Sequence, residues 1–555
     1  MVQSKNVEKL ALGVILAAVL ACLIMVVLAP KAAKADSSGA DRSDYEQMLF
    51  DTNQPMTIDI VMEPDNWQEM LQNAAQKKWY SCDVIVNGTT YHNVGIRTKG
   101  DASLESIADN PNSNRYSFKL SFGKYQKGQR CWGLDKLCLN NNCGDPTGMK
   151  EALVYDMAHF FHMPAPLYNF AKISLNGEYW GVYLALEAVD HSFLKRNYAL
   201  QPGALYKPGE SGEADDGGWD ESEYNESAME AEEKTSEVIG GGSDLRYIDD
   251  RTESYFAIWA AQVNKSTESD HRRVVKALKN IGEQNALETY MDIENVIRYM
   301  VVHNFSVNYD SLSGDGDHNY YLHEKDGKLS IIPWDYNLCF GAYTMDSEMD
   351  DGHLLESLQY ASRVVNSPID DHWALTNFFD GILDSEEYRA KYHAYYQRLI
   401  EQYVLSGGFE AFYKRTRSQI DELVKTDPNA LYSYDAYDAA AKMLQLAVEL
   451  RGQSVRGQLA GVVPSTAAGQ KEHPETLIDA SSVNLQTMGS DSAGEAPENE
   501  ISEEEWMNQY KEKAEQQTKA RQEASKKAAA QYLFSFLGLS AALLGIRWYN
   551  KHFEV

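Results

Sequence analysis

Cysteine is scarce in this chain: six in 555 residues, with no C-x-x-C pair. Disulfide scaffolds are far denser in cysteine, so bridges do not organise this fold. Cys22 lies in an apolar run, leaving Cys82, Cys131, Cys138, Cys143 and Cys339, an odd set that cannot all pair within one chain. Cys131, Cys138 and Cys143 lack the spacing and the nearby histidine that a zinc site needs. Positive charge is also short. Lys and Arg number 51 against 82 Asp and Glu, a net charge of −31. That balance excludes nucleic acid and anionic lipid as broad-surface partners, and suits basic partners and divalent cations. No G-x-G-x-x-G is present to cradle phosphates, so any nucleotide is held by other means.

The apolar share, 43%, is enough for a large core, and the length allows two or three domains or one bilobal unit with extensions. A twenty-residue apolar run, Leu10 to Ala29, follows Lys5 and Lys9. It is long enough to cross a bilayer, while Ala33-Lys34-Ala35 reads as a cleavage site. An uncleaved anchor and a cleaved signal both fit residues 1–35, and either exports the body of the chain. Lys31 and Lys34 balance the earlier lysines, so orientation is not set. A second apolar run, Tyr532 to Ile546, precedes Arg547, Trp548, Tyr549 and Lys551. The segment 532–549 reads as a transmembrane or an interfacial helix.

Between these ends the chain divides by composition. Residues 36–54 are a polar linker and 55–208 a β-rich region containing the hairpin signals Asn87-Gly88 and Asn176-Gly177. Asp145-Pro146 predicts a helix N-cap and first helical position. Residues 209–245 are an acidic insertion; Gly209 to Asp244 carries thirteen acidic residues and one lysine, a composition that predicts disorder. Residues 246–460 read as mostly helical, 461–502 as low-complexity linker and 503–531 as a charged helix.

The chemistry gathers between Asp310 and Gly341. NYYLHEK and KLSII flank Asp326-Gly327, a strong two-residue turn signal. Counting outward from that turn, Lys325 faces Lys328, Leu322 faces Ile331 and Asn319 faces Trp334. Asn319 and Asp335, sixteen apart in sequence, thus return to one end of a hairpin, and Asp310 lies in the loop entering it. Two carboxylates and an amide oxygen at one place suit a hard cation, since magnesium takes one or two carboxylates plus substrate phosphate. The order Asp, Asn, hairpin, Asp is also that of a protein-kinase catalytic loop and its metal-binding Asp. Here H-R-D is missing, the Asp-to-Asn gap is longer, and W-D-Y stands in place of D-F-G. Asp315, Asp317 and Asn319 have calcium-loop spacing but lack its glycine and closing Glu. His318 reads either as a base or as a loop-edge histidine with no role.

The run HNYYLHEKDGKLSIIPWDYNLCFG resembles the spore-coat CotH family of atypical, kinase-like proteins. Arg97, Gly100 and Lys119 match a turn and strand of that family, NGEYWGVYLALEAVD resembles its second signature, and LYKP at Leu205–Pro208 also fits. The resemblance covers roughly residues 55–460. It implies an α+β, bilobal, atypical protein-kinase-like fold with a small β-rich N-lobe, a helical C-lobe and terminal membrane segments. It further implies transfer of the ATP γ-phosphoryl group to Ser or Thr of a surface or coat protein bearing Ser/Thr-rich segments. Asp310 would orient the acceptor hydroxyl, Asn319 and Asp335 would hold Mg (or Mn), and Lys119 and Glu187 would contact the nucleotide. Lys119 also reads as a solvated strand residue, and Glu187 as a strand-end salt-bridge partner. The family pattern often has W-D-x-D, whereas Asn337 follows Asp335 here. The expected location is membrane-anchored with the bulk of the chain extracytoplasmic, and no nucleic acid partner is expected. The alternative is a non-catalytic coat-assembly protein that keeps the fold, which export favours because ATP is scarce outside cells.

Overall fold

The structure, a computed structural model, describes residues 44–199, 202–209, 241–314, 316–343 and 354–490. Both terminal apolar runs, the charged stretch 503–531, most of the acidic insertion and Asp315 lie outside the described residues. The described chain forms two compact units.

The first unit contains residues 44–99, Ser117–Asn140 and Pro166–Pro202. Its strands are β1 (Met56–Val61), β2 (Tyr80–Val86), β3 (Thr89–Lys99), β4 (Ser117–Ser121), β5 (Lys136–Asn140), β6 (Tyr168–Leu175) and β7 (Glu178–Glu187). Alternation in β1 buries Met56, Ile58 and Ile60. Asn87-Gly88 and Asn176-Gly177 all adopt positive φ, as two-residue hairpin turns require. The strands close into a barrel in the order β1-β2-β3-β4-β5-β7-β6. Closure comes from parallel pairing of β1 with β6, Met56 opposite Ala171 through Ile60 opposite Leu175. Trp67, from the helix Pro64–Gln72, covers the core against Phe118 and Trp180, with ring centroids 5.2 and 5.0 Å away.

The second unit contains Gly100–Tyr116, Asn141–Ala165 and the described residues from Gly203 onward. Its helices include α1 (Lys150–Phe160), α2 (Glu268–Gly282), α3 (Ile293–Ser306), α4 (Glu386–Leu399), α5 (Gly408–Lys425) and α6 (Tyr434–Leu459). Its sheet orders β10 (Lys328–Pro333), β9 (Tyr320–Lys325) and β8 (Ala204–Tyr206). Asp292 caps α3 by accepting the Asn295 N–H at 3.1 Å, and eleven of the fourteen residues of α3 are buried. Buried Asn295 accepts the Ile331 N–H at 2.8 Å, tying α3 to β10. At the other end of α3, fully buried Arg451 of α6 donates to the Asn304 carbonyl at 3.0 Å and takes up a helix-end acceptor.

Two expectations are corrected. The bilobal kinase-like fold does not describe this chain: the N-terminal part is a closed seven-stranded barrel accompanied by a helical unit, and the two runs expected to meet the membrane lie outside the described residues. Among the described residues, no helix is long and apolar enough to cross a membrane. Hairpin signals identify neighbouring strands but not which distant edges meet, and the β1–β6 pairing turns a small sheet into a barrel. Secondly, Asp145 does not cap α1 directly, because the helix begins at Lys150. The Asp145 carboxylate instead folds a local turn, accepting the Thr147 N–H at 3.0 Å and the Lys150 N–H at 3.1 Å.

Candidate functional site

The site is built where α3 ends. Val307 leaves the helix at φ 48°, a left-handed conformation that is rare for a β-branched residue. The loop behind it is pinned by Asn319, whose Nδ2 donates to the Asp310 carbonyl at 2.8 Å and to Asp310 Oδ2 at 2.9 Å. His318 Nε2 lies 3.1 Å from Asp310 Oδ1, and Ser311 Oγ donates to the His318 carbonyl at 3.0 Å. Asp310, His318 and Asn319 therefore form one hydrogen-bonded group in which both carboxylate oxygens of Asp310 are engaged.

The hairpin has the register counted from its turn: Lys325 opposite Lys328, Leu322 opposite Ile331 and Tyr320 opposite Pro333. Asp326 and Gly327 have φ of 55° and 85°. Asn319 and Asp335 flank the open end of these strands, both with positive φ, 61° and 57°. The Asp335 N–H reaches the Tyr155 hydroxyl of α1 at 3.3 Å, and that hydroxyl donates to Glu151 Oε1 at 2.8 Å. Burial holds the Tyr155 phenol well above its ordinary range, so it remains a neutral donor. Beyond Asp335 the chain turns back, and Phe340 N–H donates to the Ser306 carbonyl at 2.6 Å. Val307, Asn319, Asp335 and Phe340 are all non-glycine residues in left-handed backbone, strain that persists where surrounding contacts impose it. Lys207, from LYKP, stands over the rings of Tyr321 and Trp334 at 5.8 and 5.6 Å.

The two residues nominated for the nucleotide belong to the first unit. Lys119 is half-buried in β4, paired across the sheet with Arg97 on one side and Cys138 on the other. Glu187 is fully buried and engaged from several directions. Arg196 Nε and Nη2 reach its two oxygens at 3.1 and 2.5 Å, the Tyr45 hydroxyl at 2.5 Å and the Leu167 N–H at 3.1 Å.

The donor chemistry around the hairpin fits a hard cation. Both side-chain bonds of Asn319 use its Nδ2, which leaves its carbonyl oxygen without a hydrogen bond among the described residues. The Asp335 carboxylate lies at the same hairpin end by register. No group of three His, Cys, Asp or Glu side chains that would cage a metal occurs among the described residues. An amide oxygen and one carboxylate are a set that magnesium completes with water and phosphate oxygens.

A family model described as "CotH kinase protein" matches residues 96–455, well over half of the chain. The chain belongs to the CotH family. Inner spore coat protein H of Bacillus subtilis (strain 168) is 26% identical to it over 212 residues, covering 38% of this chain and 51% of that protein. The chain thus spans about half the length of this relative. Within this CotH protein, Lys207 lay inside the LYKP match without an assigned role, and two further residues beside the site escaped sequence reading: Tyr155 and His303. A lone histidine in the apolar run IENVIRYMVVHNF was a usable signal for the last, while nothing local marked Tyr155.

Proposed function

We propose that this CotH protein transfers the γ-phosphoryl group of ATP to a Ser or Thr hydroxyl of a surface or coat protein. The observation supporting it is the Asp310–Asn319 pair beside the hairpin end that carries Asp335. Asp310 accepts a hydrogen bond from the acceptor hydroxyl, aims its oxygen at the γ-phosphorus and takes its proton as the new P–O bond forms and the bond to the β–γ bridging oxygen breaks, ADP leaving with that electron pair. Asn319 Nδ2 holds that carboxylate in place while its own carbonyl oxygen faces away. Asn319 and Asp335 would hold Mg or Mn, which supplies neutralisation of phosphate charge when bound. Such transfer depends mainly on positioning and charge neutralisation, so a small oxygen-rich site suffices. Lys119 remains the candidate phosphate contact, whereas the Glu187 carboxylate is already occupied by Arg196 and Tyr45.

The second reading is a coat-assembly protein without catalysis. It is favoured by the name of the Bacillus subtilis relative, an inner spore coat protein, and by Asn337, whose Nδ2 donates to the Cys143 carbonyl at 2.9 Å where the family often has a second carboxylate. Incubating the purified chain with labelled ATP, Mg²⁺ or Mn²⁺ and a Ser-rich protein separates the two. Asp335→Asn should weaken metal-dependent ATP binding strongly, because one carboxylate supplies much of the charge holding the ion. Asp310→Asn should leave ATP binding intact and lower transfer by about 10²–10⁴-fold. A wild-type chain that neither binds ATP nor transfers phosphate leaves the assembly reading in its place.

A further inference from the structure

His303 stands in the last turn of α3, is fully buried, and is absent from the chemistry above. Both ring nitrogens are in use. Nδ1 lies 2.8 Å from the Tyr336 hydroxyl and Nε2 lies 2.7 Å from Ser313 Oγ. Ser313 spends its one hydroxyl proton on the Asn308 carbonyl, 2.9 Å away, so towards His303 it accepts. Nε2 therefore carries the ring proton and Nδ1 accepts from Tyr336. A single tautomer satisfies both bonds. The ring is clamped between Tyr299, stacked with centroids 5.2 Å apart, and Trp373 at 4.9 Å.

The partners of this ring are what give it meaning. Tyr336 directly follows Asp335, and Ser313 lies three residues beyond Asp310 in the loop that Asn319 pins. One imidazole thus joins the two carboxylate-bearing segments through bonds of opposite direction. We propose that His303 is a positioning residue that sets the separation of Asp310 and Asp335, acting through Ser313 on the first and Tyr336 on the second. This rests on the roles assigned to those carboxylates under the proposed function. A residue present only to fill space has no need for two directed bonds to two different segments. The Phe340 N–H bond to the Ser306 carbonyl is a backbone tie between the end of α3 and the Asp335 segment, so loss of the ring should loosen the site without unravelling it.

The test uses full-length Tyr336→Phe, Ser313→Ala, His303→Ala and His303→Gln. Phosphotransfer and Mn²⁺-dependent ATP affinity are measured beside amide hydrogen exchange of peptides covering 308–314 and 334–341. Tyr336→Phe should raise the ATP Kd about tenfold, the worth of one hydrogen bond, with kcat within about twofold. Ser313→Ala should lower kcat about tenfold at unchanged Kd. His303→Ala should do both, and His303→Gln, whose amide nitrogen replaces Nε2, should restore kcat but not affinity. Exchange should quicken only in 334–341 for Tyr336→Phe, only in 308–314 for Ser313→Ala, and in both for His303→Ala. Equal loss of kcat and affinity in every variant overturns the inference, as does unchanged exchange of both peptides in His303→Ala. If the wild type neither binds ATP nor transfers, the proposed function falls, and the exchange pattern alone upholds or overturns the linkage.

Discussion

Acid should weaken this fold through His303, and the size of the effect follows from its burial. Burial pushes the imidazole down to about 3, and the groups packed on it are Tyr299, Tyr336, Ser313 and Trp373, none of them a carboxylate. In the unfolded chain the same ring titrates near the ordinary value of about 6.5. Between these values the unfolded state binds a proton that the folded state refuses. Stability from this group is therefore complete above about pH 6.5 and drains as pH falls towards 3, at about 1.4 kcal/mol per unit. From pH 7 to pH 5 the loss is about 2 kcal/mol. His303→Gln removes the titration while keeping an amide in the cavity. Urea melts of both proteins at pH 7 and pH 5, followed by tryptophan fluorescence, measure it. The variant should start less stable at pH 7, yet lose about 2 kcal/mol less than the wild type on going to pH 5. Equal acid losses in the two proteins would refute a neutral, buried His303.

Two further outcomes concern buried charge. Lys150 Nζ is fully buried without a hydrogen-bond partner among the described residues; burial pulls its amine below the ordinary lysine range, and burial raises the nearby Asp145 carboxyl. Lys150→Met should leave thermal stability unchanged or raise it by about 1 kcal/mol, and a loss beyond about 2 would show that the amine holds Asp145 in place. Glu187→Ala strands Arg196 in the barrel unit and should cost about 3 kcal/mol in thermal unfolding. A drop in ATP affinity at unchanged melting temperature would instead make Glu187 a nucleotide contact.

What was legible in the sequence was local. Asp326-Gly327 states its own turn type, and once the turn is set, period-two alternation fixes every partner up to Tyr320 and Pro333. That is why Asn319 and Asp335 could be placed at one end before any coordinates. The Asp310–Asn319 bond was not legible: the loop runs from α3 into β9, and only the structure shows Asn319 bonding back to it. Long-range closure was not legible. Nothing in TIDIV announces that it pairs in parallel with NFAKISL, more than a hundred residues away, so a barrel was read as a lobe. Asp145-Pro146 carries a true helix-start signal, but the side chain satisfies the Thr147 and Lys150 amides in a turn, and the helix waits until Lys150. Glu187 was read either as a nucleotide contact or as a strand-end salt-bridge partner; that the partner is Arg196, in the helix His191–Tyr198 that follows, only the fold shows.

The site combines strained backbone with uncharged supports, and the two belong together. Each left-handed residue among Val307, Asn319, Asp335 and Phe340 stores of order 1 kcal/mol or more, which neighbouring bonds must offset. Those bonds come from the Tyr155 hydroxyl to Asp335, the His303 ring to Ser313 and Tyr336, and the Phe340 amide to Ser306. None carries a net charge. These hydrogen bonds transmit position without themselves adding charge. Asn337 adds one more neutral tie, its Nδ2 donating to the Cys143 carbonyl at 2.9 Å. Held in this shape, with one amide oxygen and one carboxylate to offer, the hairpin end is suited to hold a cation chiefly when phosphate oxygens arrive to complete its shell.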